Sequence, residues 1–295
     1  MARRWKIPLY VLFTLVALVT SLVLTFPYQA LGRRLELEAA RALPGSKLVI
    51  NDIGPAFPLG LRLGDVIFDR EVNGREIKVI LDRVRVRPAL LPLFKGKLGA
   101  VFGVDAYAGS LDGEVTGNRK GLSVTAVARG LQLDVGQTVE SATGLKIAGG
   151  LSGRVELSTD ARGEVTQGSL AAVLAGGKIK SGTIMGFKVP ATDLGSPELS
   201  VAVKKSHAKI EKGQAKSRDL DLELTGDVTL VPNLMASFIK GHVRLKLSDA
   251  YLSRNSDIKG LLGFAGPFRK PDGALELPLD GPLSRPLQLP GFARY

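Results

Sequence analysis

From Lys47 onward, apolar residues recur at every second position, and this periodicity limits the fold more than any other feature of the chain. Leu59, Leu61 and Leu63 alternate with Gly60, Arg62 and Gly64. Leu122, Val124, Ala126 and Ala128 share one parity against Ser123, Thr125 and Arg129, with Val127 the exception. Leu151, Gly153, Val155 and Leu157 repeat the pattern, as do Leu199, Val201 and Val203. Leu220, Leu222 and Leu224 alternate with Asp219, Asp221 and Glu223, and Val243, Leu245 and Leu247 alternate with Arg244, Lys246 and Ser248. Each run is a strand with one apolar and one wet face.

Glycine is abundant, at 35 residues. Gly117-Asn118, Gly149-Gly150, Gly176-Gly177 and Asp272-Gly273 read as breaks between runs, at a spacing that suits hairpins and meanders. Few intervening segments could form a helix; Asn233 to Ile239 and Ile258 to Phe264 are the candidates. Parallel βαβ architecture is therefore disfavoured. Gly109–Val115 (GSLDGEV) resembles Gly149–Val155 (GGLSGRV) at an offset of forty residues, as repeated hairpins in an elongated sheet would. Ile77, Val79 and Leu81 are odd-numbered, whereas Val84 and Val86 are even. A bulge or turn near Asp82 would restore one apolar face. The apolar faces need cover, either from a second sheet in a sandwich or from a groove whose inner wall holds acyl chains.

Ahead of this region, Ile7 to Phe26 is an uncharged run of twenty residues. As a helix it spans about 30 Å, the thickness of a bilayer's hydrocarbon core. Pro8 falls in its first turn, Arg3, Arg4 and Lys6 precede it, and Trp5 and Tyr28 flank it at interfacial depth. A cleavable signal peptide has a shorter apolar region and a small-residue cleavage site, and Tyr28-Gln29-Ala30 is a poor one. The expectation is an uncleaved, single-pass anchor with its basic N-terminus in the cytoplasm and the following domain across the membrane. Leu31, Leu35, Ala39 and Leu43 then recur at four-residue spacing before Pro44-Gly45, which predicts a stalk helix.

The chain has no cysteine, which excludes disulfides, thiolate chemistry and cysteine-ligated zinc. A net charge of +12 allows nucleic acid, anionic lipid or an acidic partner. Aromatic residues, at 6%, are too sparse for a base-stacking platform, so nucleic acid is not expected. No H-E-x-x-H, P-loop or G-x-S-x-G occurs. The two histidines, His207 and His242, have no spacing that makes a dyad, and they read as surface residues. Asp219, Asp221 and Glu223 form an acidic row that reads as a solvated strand face. Arg83, Arg85 and Arg87 form a basic row, the candidate contact for anionic lipid or an acidic partner; an exposed strand face with balancing charges is the alternative.

Three stretches carry a likeness to a known family: Ala56-Phe57-Pro58-Leu59-Gly60-Leu61 with its following strand, DRVRVRPALLPLFKGK from Asp82, and the ending DGALELPLDGPLSRPLQLPG from Asp272. Together with the short basic start, single anchor and Gly-rich β domain, the chain resembles general secretion pathway protein N, in its AsmA-like branch. The resemblance covers most of the chain and consists of patterns, not chemical motifs. It implies an inner-membrane, periplasm-facing component of type II secretion with other secretion subunits and membrane lipid as partners. It implies no catalytic residues, cofactor or metal.

The expected architecture is therefore mainly β. Residues 1–26 are the cytoplasmic start and membrane anchor, 27–46 a stalk helix, and 47–295 a periplasmic domain with an elongated, curved antiparallel sheet, as groove or sandwich. The expected function is a non-enzymatic secretion component, with membrane-tethered lipid binding or transfer as the alternative.

Overall fold

The computed structural model describes residues 25–42, 45–56, 59–72, 75–94, 96–184, 187–231, 236–258 and 266–283, with positions 13, 14, 17 and 21. Most of the expected anchor, Ile7 to Phe26, lies outside the described residues. Among those described, no helix is long and apolar enough to cross a membrane. The stalk is present as α1 (Tyr28–Ala42), which ends just before Gly45 at φ +80°.

Most of the other described residues form one fifteen-stranded antiparallel sheet. Its strands are β1 (Ser46–Pro55), β2 (Leu61–Val72), β3 (Arg75–Pro88), β4 (Leu98–Ala106), β5 (Gly109–Asn118), β6 (Gly121–Gln132), β7 (Leu145–Thr159), β8 (Val165–Ile184), β9 (Phe187–Val189), β10 (Thr192–Gly195), β11 (Glu198–Lys204), β12 (His207–Lys216), β13 (Leu220–Thr229), β14 (Phe238–Leu247) and β15 (Leu275–Pro282). The order is a meander from β1 to β8, then β11 to β15, with β9 and β10 paired to the far half of β8. Among the described residues, three short α-helices fill connections: α2 (Leu90–Leu93), α3 (Thr138–Thr143) and α4 (Asp249–Arg254). Each strand packs on its ladder neighbours, and no second sheet lies over them among the described residues. The sandwich alternative is thereby removed.

The register carries one apolar face across the sheet. Val86 opposes Phe102, Phe102 opposes Gly113, and Gly113 opposes Ala126. Ala126 opposes Val155, Val155 opposes Leu170, and Leu170 opposes Val201. Val201 opposes Ile210, and beyond it Val228 opposes Ile239. Opposed residues of an antiparallel ladder project to the same side, so all these side chains share a face.

The two glycine repeats occupy equivalent places on it. Leu111, Gly113 and Val115 of β5 and Leu151, Gly153 and Val155 of β7 line the apolar side. Glycine at 113 lets Phe102 lie across the strand, since a Cβ there would collide with its ring.

The parity break is also present, and it crosses three strands. Asn51, Asp65 and Asp82 lie in register, and the ladder skips the pairs they would form. Asp65 takes φ +48°. Asn51-Asp52 and Asp82-Arg83 are each exposed in succession, so the half-buried side changes parity in β1 and β3 together. A register shift at Glu211-Lys212 does the same in β12.

Three readings are corrected. Gly149-Gly150 and Gly176-Gly177 are not breaks. They lie inside β7 and β8, where Gly149 (φ +134°) and Gly176 (φ +63°) let long strands bend without ending. Phe238 and Ile239, placed in a short helix by sequence, begin β14 because their backbone pairs with β13 and β15. The rest of that helix and most of Ile258 to Phe264 lie outside the described residues. Asp219 leaves the acidic row: it precedes β13, and its side chain is buried.

Candidate functional site

The apolar face differs between the two halves of the sheet. From β11 to β15 it is a closed core in which Val203, Ala208, Ile210, Val228, Ile239 and Leu279 pack together. From β4 to β8 Ala106, at the end of β4, is the one buried apolar side chain on it among the described residues. Phe102, Val104, Leu111, Val115, Val124 and Leu157 are half-buried, and Val155 is 36% exposed. The result is an apolar trough, open along the middle of the sheet and sealed towards its last strands.

A second buried set lies at the other end of these strands, around α4. Tyr251 is buried and its hydroxyl lies 2.6 Å from that of Thr192. The Asp219 carboxylate accepts from the Asp193 amide at 2.9 Å and from Arg254 at 2.6 Å. Burial opposes ionisation of Asp219, but the Asp193 amide and the Arg254 guanidinium outweigh it and hold the carboxyl below its usual range.

Along the wet face, charged side chains pair with each other. Arg85 donates to Asp105 at 3.2 Å, and Arg83 lies 4.0 Å from the same carboxylate. Arg87 has no acidic partner among the described residues, and its stem packs where a Cβ of Gly60 would sit. The basic row is therefore balanced at two positions and free at the third. Asp221 opposes Lys246 and Glu223 opposes Arg244 across the ladder, which accounts for the acidic row by cross-strand pairing.

The densest set of titratable groups surrounds a shallow depression of about 400 Å³ lined by Glu223, His242, Arg244, Lys270, Asp272 and Glu276. Arg244 bonds to Asp272 and Lys270 to Glu276 at 2.9 Å. The Ala274 amide and Arg244 hold Asp272 low, and Lys270 does the same for Glu276. These carboxylates are engaged. His242 faces the Thr225 hydroxyl at 3.0 Å, and His207 sits at the start of β12, so the two histidines do not converge. Among the described residues no His, Asp or Glu cluster could hold a metal ion.

The sequence did not single out a further depression on the apolar face. An open depression of about 1190 Å³ lies at the trough's mouth, floored by Leu98, Ala100, Val115 and Leu122 and rimmed by Arg119 and Lys120. The alternation assigned Leu122 to the apolar side, but the juxtaposition of three successive turns was not visible in it.

These features define a class: an open, single-layer antiparallel β-sheet protein with an exposed apolar trough. Comparison with family profiles, curated proteins and solved structures finds no match for the chain.

Proposed function

We propose that the chain is a non-enzymatic component of the type II protein secretion machinery, anchored in the inner membrane by residues 7–26 with its β domain in the periplasm. The resemblance, which covers most of the chain, supports the machinery, and the uncharged run supports the anchor. The observation that carries a binding role is the sheet itself, a single layer whose apolar face is left open from β4 to β8. An extended, uncovered surface of this kind suits contact with other subunits. Deleting the gene should impair export of folded cargo, and crosslinking from the wet face should recover secretion subunits. Normal export by the deletion strain would sink this reading.

The same trough favours a second reading, in which the sheet holds acyl chains as an AsmA-like lipid-binding or lipid-transfer protein. Native protein purified from membranes would then carry phospholipid at a fixed ratio that survives delipidating washes. Protein free of lipid would exclude it.

A further inference from the structure

In the meander, the β1–β2, β3–β4, β5–β6 and β7–β8 turns fall at one end of the sheet. The chain enters from that same end. α1 runs antiparallel to β1: Glu36 accepts from the Ile50 amide at 2.9 Å, and Gly32, earlier in the helix, lies beside Ile53, nearer the β1–β2 turn. The segment before Pro27 therefore joins the domain where these turns project.

The β3–β4 connection is unusual for a turn in contact with water. Leu91 is 80% exposed, Phe94 89% and Leu98 75%, with Leu90 and Leu93 also outward. The loop is nevertheless built. The Ala89 amide donates to Gly99 at 2.8 Å, the Lys97 amide to Pro92 at 3.0 Å and the Gly96 amide to Leu93 at 3.0 Å. Ala89 is buried beneath it. The hydrophobic side chains are thus held outward by a closed backbone.

Cations surround them. Lys97 lies in the loop, and Arg119 and Lys120 in the adjoining β5–β6 turn; all three are exposed and none has an acidic partner among the described residues. Of the nearby acids, Asp160 turns its carboxylate to the amides of Arg162 and Glu164, at 2.8 and 3.0 Å, and Glu164 is exposed on the next turn.

We infer that the Leu90–Leu98 loop inserts into the interface of an anionic bilayer, with Lys97, Arg119 and Lys120 on lipid headgroups, and forms a second membrane contact beside the anchor. Leucine and phenylalanine on one side and Lys/Arg on the other are the chemistry of interfacial insertion. Anionic lipid complements the unpaired cations. The geometry also sets the trough's mouth, where Leu98 and Leu122 lie, against the bilayer surface.

The chain has no cysteine, so single cysteines can report without background. Full-length Leu91→Cys, Phe94→Cys and Val135→Cys, labelled with an environment-sensitive fluorophore, would be reconstituted into vesicles of phosphatidylglycerol and phosphatidylcholine. Val135 is an exposed position at the opposite end of the sheet. Labels at 91 and 94 should show blue-shifted emission and quenching by spin-labelled acyl chains, and the label at 135 neither. In Arg119→Glu/Lys120→Glu, with its β-sheet circular dichroism retained, quenching at 94 should fall. A water-like signal at 94, equal to that at 135, would overturn insertion. Equal quenching in pure phosphatidylcholine would overturn the role of the cations. The vesicles contain no secretion subunits, so neither result depends on the proposed machinery.

Discussion

Asp219 and Arg254 meet at 2.6 Å, and the carboxylate is only 3% exposed while the guanidinium remains largely in solvent. The pair ties the β12–β13 turn to α4. Removing Arg254 leaves a buried carboxylate with the Asp193 amide as its main remaining donor. Arg254→Ala should cost about 1–3 kcal/mol, the penalty for under-satisfying a buried polar group. Urea denaturation should show a lower midpoint with little change in slope.

The same carboxyl predicts a pH dependence. Its folded-state pKa lies below its unfolded value of about 3.9. The folded state therefore binds fewer protons in this window, and the stabilisation is complete above the unfolded pKa. It is lost as the pH falls through the folded pKa. Wild type and Arg254→Ala should differ in melting temperature at neutral pH and converge below about pH 4. A constant difference down to pH 2 would contradict the assignment to Asp219.

Charge on the apolar face should have opposite consequences in the two halves. Val155 sits in the open trough at 36% exposure, so Val155→Glu should leave the sheet folded, with a loss of about 1 kcal/mol or less. Ile239 is 5% exposed within the packed cluster, and Ile239→Glu should cost several kcal/mol, because a buried carboxylate there has no partner. Thermal unfolding of both variants tests the contrast. If the trough carries lipid, mass spectrometry of Val155→Glu should also show that lipid lost.

The basic row should not behave as a unit. Arg83 and Arg85 share Asp105, whereas Arg87 has no acidic partner among the described residues. Arg87→Gln should weaken association with an anionic partner or vesicle more than Arg83→Gln does, with both stabilities changed by less than about 1 kcal/mol. Raising salt should reduce the difference between the two variants. Equal binding by all three proteins would leave the row as a solvated strand face.

Tyr251→Phe should cost about 1–2 kcal/mol, since the Thr192 hydroxyl loses its 2.6 Å partner in a buried setting. Adding Thr192→Val should recover part of the loss, because removing both hydroxyls leaves fewer unmet hydrogen bonds. A double-mutant cycle by chemical denaturation reads the coupling.

Period-two alternation in runs such as Leu220–Leu224 and Val243–Leu247 was sufficient to specify strands and their wet and apolar sides. These are local properties, because neighbouring side chains on a strand must point oppositely. The stalk helix was equally legible from the four-residue spacing of Leu31, Leu35 and Ala39. Glycine was ambiguous. Gly117-Asn118 ends β5 just before the Arg119-Lys120 turn, while Gly149-Gly150 bends a continuing strand, and the residue type alone does not tell the two apart. The outcome depends on whether a neighbouring strand supplies hydrogen bonds beyond the glycine.

Only the tertiary structure decided between sandwich and open sheet, because an alternating strand needs cover on one face and does not encode what provides it. Val155 and Val203 are indistinguishable by pattern, yet one lines an open trough and the other a closed core. Similarly, Arg83 and Arg87 occupy equivalent places in one row. Asp105, eighteen or more residues away, neutralises the first and leaves the second free. The leucines of PALLPLFKGK are exposed in the structure. Their outward display depends on the backbone bonds that close the loop over Ala89 and on the register that sets Arg119 and Lys120 beside it. Sequence fixes what each strand offers to its two faces; pairing across distant segments determines which of those faces meets solvent.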